Sequence, residues 1–282
     1  MKTVITIFFS LGLIGNNIAQ VTNLSNGLWS NPAIWSTNNV PTGNDSVYLS
    51  YDITINVNAS CQSFDNNGYN VTVNSGVTFN ILGNNAMVDL DNNLYHIINI
   101  GTQTLLQSNL NVSHYRNGDP IPQVTDPVEW YNLATGAWCY YNNDSATYAS
   151  IYGKIYNWYA VNDPRGLAPQ GWHIPDTLEW NTLQNFLGGD LVAGDKLKDT
   201  TIWVNNGTGI MATNSSGFTA LPGGYRDFPG PFGDITRYGS WWSSNSDGTG
   251  FAWYRALFDN CSCLYKYWDS NRTGFSVRCI KN

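Results

Sequence analysis

Two cysteines and a run of aromatic rings late in the chain are the residues whose types and spacing could do chemistry. Cys261-Ser262-Cys263 sets two sulfurs two positions apart. On an extended strand such residues project from one face, so both could reach a soft metal such as Cu(I). The alternative is a strand near the surface, with one sulfur bridged to Cys279 or Cys139 and the other spare. Trp241 and Trp242 are adjacent in GSWWSS, so an extended backbone sends one to the core and the other to the opposite side. Trp253, Tyr254, Tyr265, Tyr267 and Trp268 follow. Exposed rings stack on sugar faces, and Asn245, Asp247, Arg226 and Arg255 carry groups that hydrogen-bond hydroxyls. The candidate ligand contacts are therefore Trp241, Trp242, Arg226, Asn245, Asp247, Trp253 and Arg255, against the alternative that large aromatics simply fill a core.

Other constellations promise less. His96, His114 and His173 lack ligand spacing with one another or with a carboxylate or cysteine, which argues against zinc. His173, inside GWHIP, reads as a ring packed among aromatics. Leu221 to Asp227 (LPGGYRD) lacks the Lys-Ser/Thr of a phosphate loop. Its glycines suit a backbone passing close under Tyr225 and Trp242, with Arg226 either paired to Asp227 or facing a ligand.

The stretch Ile151 to Gly189 must position these groups. Tyr148, Ile151, Tyr152, Ile155 and Tyr159 recur at steps of three and four, the period of a helix with one buried face, ended by Asn162-Asp163-Pro164-Arg165-Gly166. A second helix starts after Pro175, where Asp176 and Glu179 form a capping-box pattern; Trp180, Leu183 and Leu187 make its stripe and Gly188-Gly189 its end. Gly171 and Pro175 keep Trp172-His173-Ile174 in an extended run between the two.

The chain of 282 residues carries 13 Lys+Arg against 20 Asp+Glu and no basic run, so nucleic acid is excluded as an expected partner. Lys2, the apolar Val4 to Ile14 and Asn17-Ile18-Ala19 before Gln20 read as a signal peptide over residues 1–19. That implies a secreted or cell-surface protein; no apolar run is long enough to span a bilayer. Five cysteines (Cys61, Cys139, Cys261, Cys263, Cys279) are an odd number, so one is free or pairs between chains.

Residues 20–85 alternate apolar and small polar side chains in short runs, Ile53 to Val57, Val71 to Val73 and Val77 to Ile81 among them, with turns such as Asn74-Ser75-Gly76. This is an all-β module. Trp29, Trp35, Pro41 and Asp45 resemble the opening of modules in exported bacterial proteins that coil into a β-solenoid; a small sandwich is the other arrangement. From Met87 two further strand patterns follow, Leu94 to Ile100 and Leu110 to Tyr115.

This last segment, with WYNLATGAWCYYNND, YGKIYNWYAV, GLAPQGWHIPDTLEW, SSGFTALPGGYRD, GSWWSS and GFSVRCIKN, resembles the Fibrobacter succinogenes major paralogous domain from about Met87 to Asn282. The resemblance implies an α+β fold over residues 86–282, related to C-type lectin-like domains and formylglycine-generating enzymes, in which two helices pack on short twisted antiparallel sheets. Where the family carries Trp-Met and then an acid before Asn-Leu, this chain has Leu105-Leu106 and Ser108. The enzyme branch implies copper at a cysteine pair, although its pair is more widely spaced than Cys261 and Cys263. The lectin branch implies calcium in loops such as Asn142-Asn143-Asp144, Asn162-Asp163, Asn245-Ser246-Asp247-Gly248 and Asp269-Ser270-Asn271, which turn chemistry alone also explains. The expected function is non-catalytic binding or adhesion, with a polysaccharide or a surface protein as partner. The alternatives are a copper-dependent oxidase-like enzyme and a structural envelope protein.

Overall fold

A computed structural model describes residues 20–65, 69–81, 86–204 and 212–282. The proposed signal peptide lies outside them.

The first module is a short coil of parallel strands. Gln20–Thr22, Ser46–Tyr48 and Ser63–Asp65 form one face, and Gly27–Leu28, Ile53–Ile55 and Val71–Val73 a second. Ala59–Cys61 and Phe79–Ile81 begin a third. Each three-residue strand points its first and third side chains, or its middle one, inward. Ile53, Ile55, Val47, Val73, Phe79 and Ile81 thereby stack in a continuous core. Trp29 and Trp35 close it, with ring centroids 4.9 Å apart and the Trp35 indole donating to the Trp29 carbonyl. Asp45 ties the turn before the second coil by accepting from Thr42 N and Oγ1.

The coil and the second module share one sheet. Phe79–Ile81 pairs antiparallel with Ala86–Val88, which pairs with Leu94–Ile100, Gln103–Leu106, Ile280–Lys281 and Trp172–His173 in turn. Ala86 and Val88 face the coil core and Met87 faces the core of the second module. The division at 85/86 therefore falls inside a shared sheet.

The expected α+β lectin-like architecture with two helices is overturned. Beyond the shared sheet stand a five-stranded sheet (order Trp138–Cys139, Ile155–Asn157, Gly274–Phe275, Tyr225–Arg226, Phe232–Gly233) and a three-stranded antiparallel sheet of Tyr238–Ser246, Phe251–Phe258 and Tyr265–Ser270. Among the described residues five short α-helices decorate these sheets, the longest being Thr177–Phe186. The fold is mostly strand. The helix expected across Ile151 to Tyr159 is three elements: helix Ser145–Tyr152, strand Ile155–Asn157 and helix Trp158–Val161. Gly153 breaks it at φ 72°, ψ −155°, a conformation open only to glycine. Ile155, Tyr156 and Asn157 are all buried because their strand lies between two neighbours with both faces covered, so burial there has no period to read. The strand pattern at Leu110 to Tyr115 likewise yields only an isolated bridge, His114 to Pro120.

The helix Thr177–Phe186 carries the full capping box: Asp176 accepts from Leu178 N and Glu179 N, and Glu179 accepts from Asp176 N. Trp180, Leu183 and Leu187 pack beneath it with Trp241, Leu257 and Phe218.

Candidate functional site

Strand alternation decides which groups the three-stranded sheet shows to which side. Trp241, Arg255 and Leu257 face the helix Thr177–Phe186, and Trp253, Lys266 and Trp268 lie on the same side further out. Tyr238, Trp242, Tyr254 and Phe258 face the other way, toward Phe275 and the five-stranded sheet.

The sequence-selected residues do not converge. Trp241 is 1% exposed and Trp242 0%, so neither ring can meet an external ligand. Their indoles donate to Asn109 Oδ1 and to the Tyr156 carbonyl, so both are internal struts. Arg226 is buried and does not pair with Asp227. Its guanidinium donates to the carbonyls of Val124, Thr125 and Gly230 and stacks on Trp130 at 4.3 Å. Arg255 is buried against Gln184 and Asn181 of the helix. Asn245 caps that helix by accepting from Thr177 N, and Asp247 closes its own turn through Thr249 and Phe251. Trp253 is half-buried beside Trp268, under Lys266 at 4.1 Å.

The cysteine expectations are corrected as well. Cys261 and Cys263 are bonded to each other, not to Cys139 or Cys279. Cys61, Cys139 and Cys279 are buried free thiols, pushed up to about 12, 11 and 12 by burial. Among the described residues no three His, Cys, Asp or Glu side chains gather as a metal site. The carboxylates of the loops weighed for calcium serve local structure: Asp144 caps the helix Ser145–Tyr152, Asp163 pairs with Arg165, and Asp269 accepts from Ser270 N and Thr273 Oγ1. His173 has both ring nitrogens engaged, Nδ1 with Asn282 and Nε2 with Glu179, each at 2.8 Å.

What the fold does assemble is a cleft of about 410 Å³ on the face opposite Arg255. It is lined by Tyr225, Tyr238, Tyr254, Phe258 and Phe275, with Asp227, Asp234, Asp259, Asp269, Arg237 and Asn260 around them. The rings form a connected set. Tyr238 lies 4.7 Å from Phe258 and 5.6 Å from Tyr225, and Tyr254 lies 4.4 Å from Phe275. The Tyr238 hydroxyl donates to the Tyr254 hydroxyl at 3.0 Å. Tyr265 and Tyr267 continue the aromatic surface outward on the same face.

Local backbone explains the geometry. Gly224 sits at φ +64°, and a Cβ there would lie 2.4 Å from the Gly233 carbonyl oxygen. Gly233 lacks the Cβ that would strike the Tyr225 ring at 2.8 Å, so Tyr225 lies flat across its partner strand. Burial is the main cause that raises the Tyr238 hydroxyl to about 12 and the Tyr254 hydroxyl further, so both phenols are neutral donors at physiological pH. Burial, and then the charge of Asp227, hold the Asp269 carboxyl above the usual carboxylate range.

Tyr225 and Asp227 stood in the LPGGYRD motif and Tyr254 beside Trp253, one position from the residues selected. The signal that could have found them is the strand period, since only one of two neighbouring side chains can face the cleft. Asp234, Arg237 and Asp259 come from turns that carry no motif.

No helix among the described residues is long and apolar enough to cross a membrane. Comparison with curated proteins and with solved structures finds no match. The family model of the Fibrobacter succinogenes major domain matches residues 98–281, more than half of the chain, and takes in every residue of the cleft. The chain belongs to the Fibrobacter succinogenes major domain family.

Proposed function

We propose that this chain is an exported, non-catalytic binding protein that takes part of a saccharide chain into the cleft between Tyr225, Tyr254 and Phe258. The observation that carries this reading is the composition of the cleft: connected aromatic rings as floor and walls, with carboxylates, an amide and a guanidinium at the edge. Pyranose rings offer apolar C–H faces to aromatic rings, and their hydroxyls donate to carboxylates in short, charge-assisted hydrogen bonds. The space is of the size that holds a small ligand or a segment of a longer one. The parallel coil then serves as a rigid spacer.

The test is a screen of immobilised plant and host polysaccharides with the folded full chain, followed by Tyr225→Ala and Trp268→Ala. Trp268 is 58% exposed on the opposite face and makes the internal control. Tyr225→Ala should weaken binding about tenfold, the worth of one stacking ring, with Trp268→Ala near wild type. The reverse pattern would move the site to the other face, and no retention on any polysaccharide would remove the saccharide reading.

A further inference from the structure

We infer that the group this cleft selects is a cation: an ammonium carried by the ligand, as on the amino sugars of a de-acetylated hexosamine oligosaccharide. The inference rests on the saccharide reading above and narrows it.

Its first support is charge balance. Four carboxylates, Asp227, Asp234, Asp259 and Asp269, line the cleft against one guanidinium, Arg237. Arg237, its side chain 59% exposed, pairs with Asp259 within that lining, Nη1 3.7 Å from the carboxylate, which leaves Asp227, Asp234 and Asp269 in excess. The second support is independent and concerns the rings. Elsewhere the chain's own cations cover aromatic faces: Lys154 lies 4.6 Å from the Trp138 centroid, Arg165 4.1 Å from Tyr115, and Arg278 4.1 Å from Phe218. Among the described residues no such contact falls on Tyr225, Tyr238, Tyr254 or Phe258. The cleft thus presents aromatic faces and surrounding negative charge, and a ligand ammonium would supply the missing cation.

A neutral sugar gains only stacking and hydrogen bonds there, and a uronic acid meets repulsion. The experiment is calorimetry on the full chain with three tetrasaccharides of matched linkage: glucosamine, N-acetylglucosamine and glucose, at mildly acid pH where the amines are protonated. The glucosamine oligomer should bind about tenfold tighter than either neutral one, equal to about 1.4 kcal/mol, and lose that margin as salt is raised. Asp234→Asn, at an exposed turn, should erase most of the margin, while the neutral affinities fall far less because the amide keeps a hydrogen-bonding oxygen. Asp227→Asn, on the neighbouring segment, is the second variant in case the first alters folding. Equal affinities for the three sugars, or a margin indifferent to both variants, would overturn the cation inference and leave the saccharide reading standing. Absence of binding by all three, with the protein folded, would sink both.

Discussion

Arg278 shows how a charge can be held without a countercharge. Its side chain is fully buried, and its guanidinium donates to the carbonyls of Leu106, Gln107, Phe218 and Thr219 and to Asn109 Oδ1 while lying on the Phe218 ring. Burial pulls it down to about 9, still high enough to stay charged near neutrality. The planar fork alone matches this set of acceptors, because an ammonium is a single point on a flexible stem. Arg278→Lys should therefore lose nearly as much stability as Arg278→Ala, about 3 kcal/mol, since either leaves several buried carbonyls without a donor. Urea denaturation of both variants tests this; full rescue by lysine would show that charge, not the fork, is what the site needs. Nothing in GFSVRC announces such a cage. Val277, Arg278 and Cys279 are buried in succession, so alternation gives no hint, and the accepting carbonyls come from segments about 60 and 170 positions away.

The elements that were legible in the sequence are those specified by their own residues. The capping box of Thr177–Phe186 depends on Asp176 and Glu179 alone, and the coil strands on a simple in-out period, so both can be read locally. The segment Ile151 to Tyr159 has aromatic spacing that resembles a helix, while the real constraint is pairing of Ile155–Asn157 with Trp138–Cys139 and with the distant Gly274–Phe275. The candidate residues were legible only by type for a related reason: strand alternation and burial, which decide that Trp241, Trp242, Arg226 and Arg255 are internal, depend on distant partners. The cysteine turn is the same problem in reverse, since an odd count fixed only that some thiol is unpaired. Ser262 within it accepts Gly194 N through its carbonyl and donates through Oγ to Asp195, which docks the turn on the helix Ala193–Leu197. Titration of denatured, non-reduced protein should find three thiols, and five after reduction. The bridge closes a loop of about three residues, so its reduction should lower stability by only about 1–2 kcal/mol. A single thiol before reduction would mean that two of Cys61, Cys139 and Cys279 are bridged.

At the scale of the whole molecule, the coil and the family domain share one sheet, and their cores meet back to back at Ala86–Val88. The molecule's response to base follows from how many acids those cores bury. Cys61 and Cys279 are raised to about 12 and Cys139 to about 11 from 9.0; Tyr115 and Tyr238 are raised to about 12 from 10.0, with Tyr95, Tyr156 and Tyr254 also raised, and burial is the largest cause in each. An acid with a raised folded value contributes stability that is fully present below its unfolded value and lost as pH climbs through the folded one, because the native state then holds more protons than the unfolded chain. Arg255 and Arg278, lowered from 12.5 to about 10 and 9, act oppositely: unfolding takes up a proton above those values, so each adds stability as pH rises. Lys154 and Lys198, lowered by burial, act with the two arginines, but the raised thiols and phenols, joined by Tyr140, Tyr141, Tyr152 and Tyr225, outnumber these bases and occur in both modules. The urea midpoint should therefore hold level from neutrality to pH 9, then decline, with the steepest fall between 10 and 12 as buried phenols ionise on unfolding. Circular dichroism across that range checks the expectation. A midpoint that stays flat or rises through this interval would mean that the phenols share water in the native state, and that the two cores are less sealed than their packing indicates.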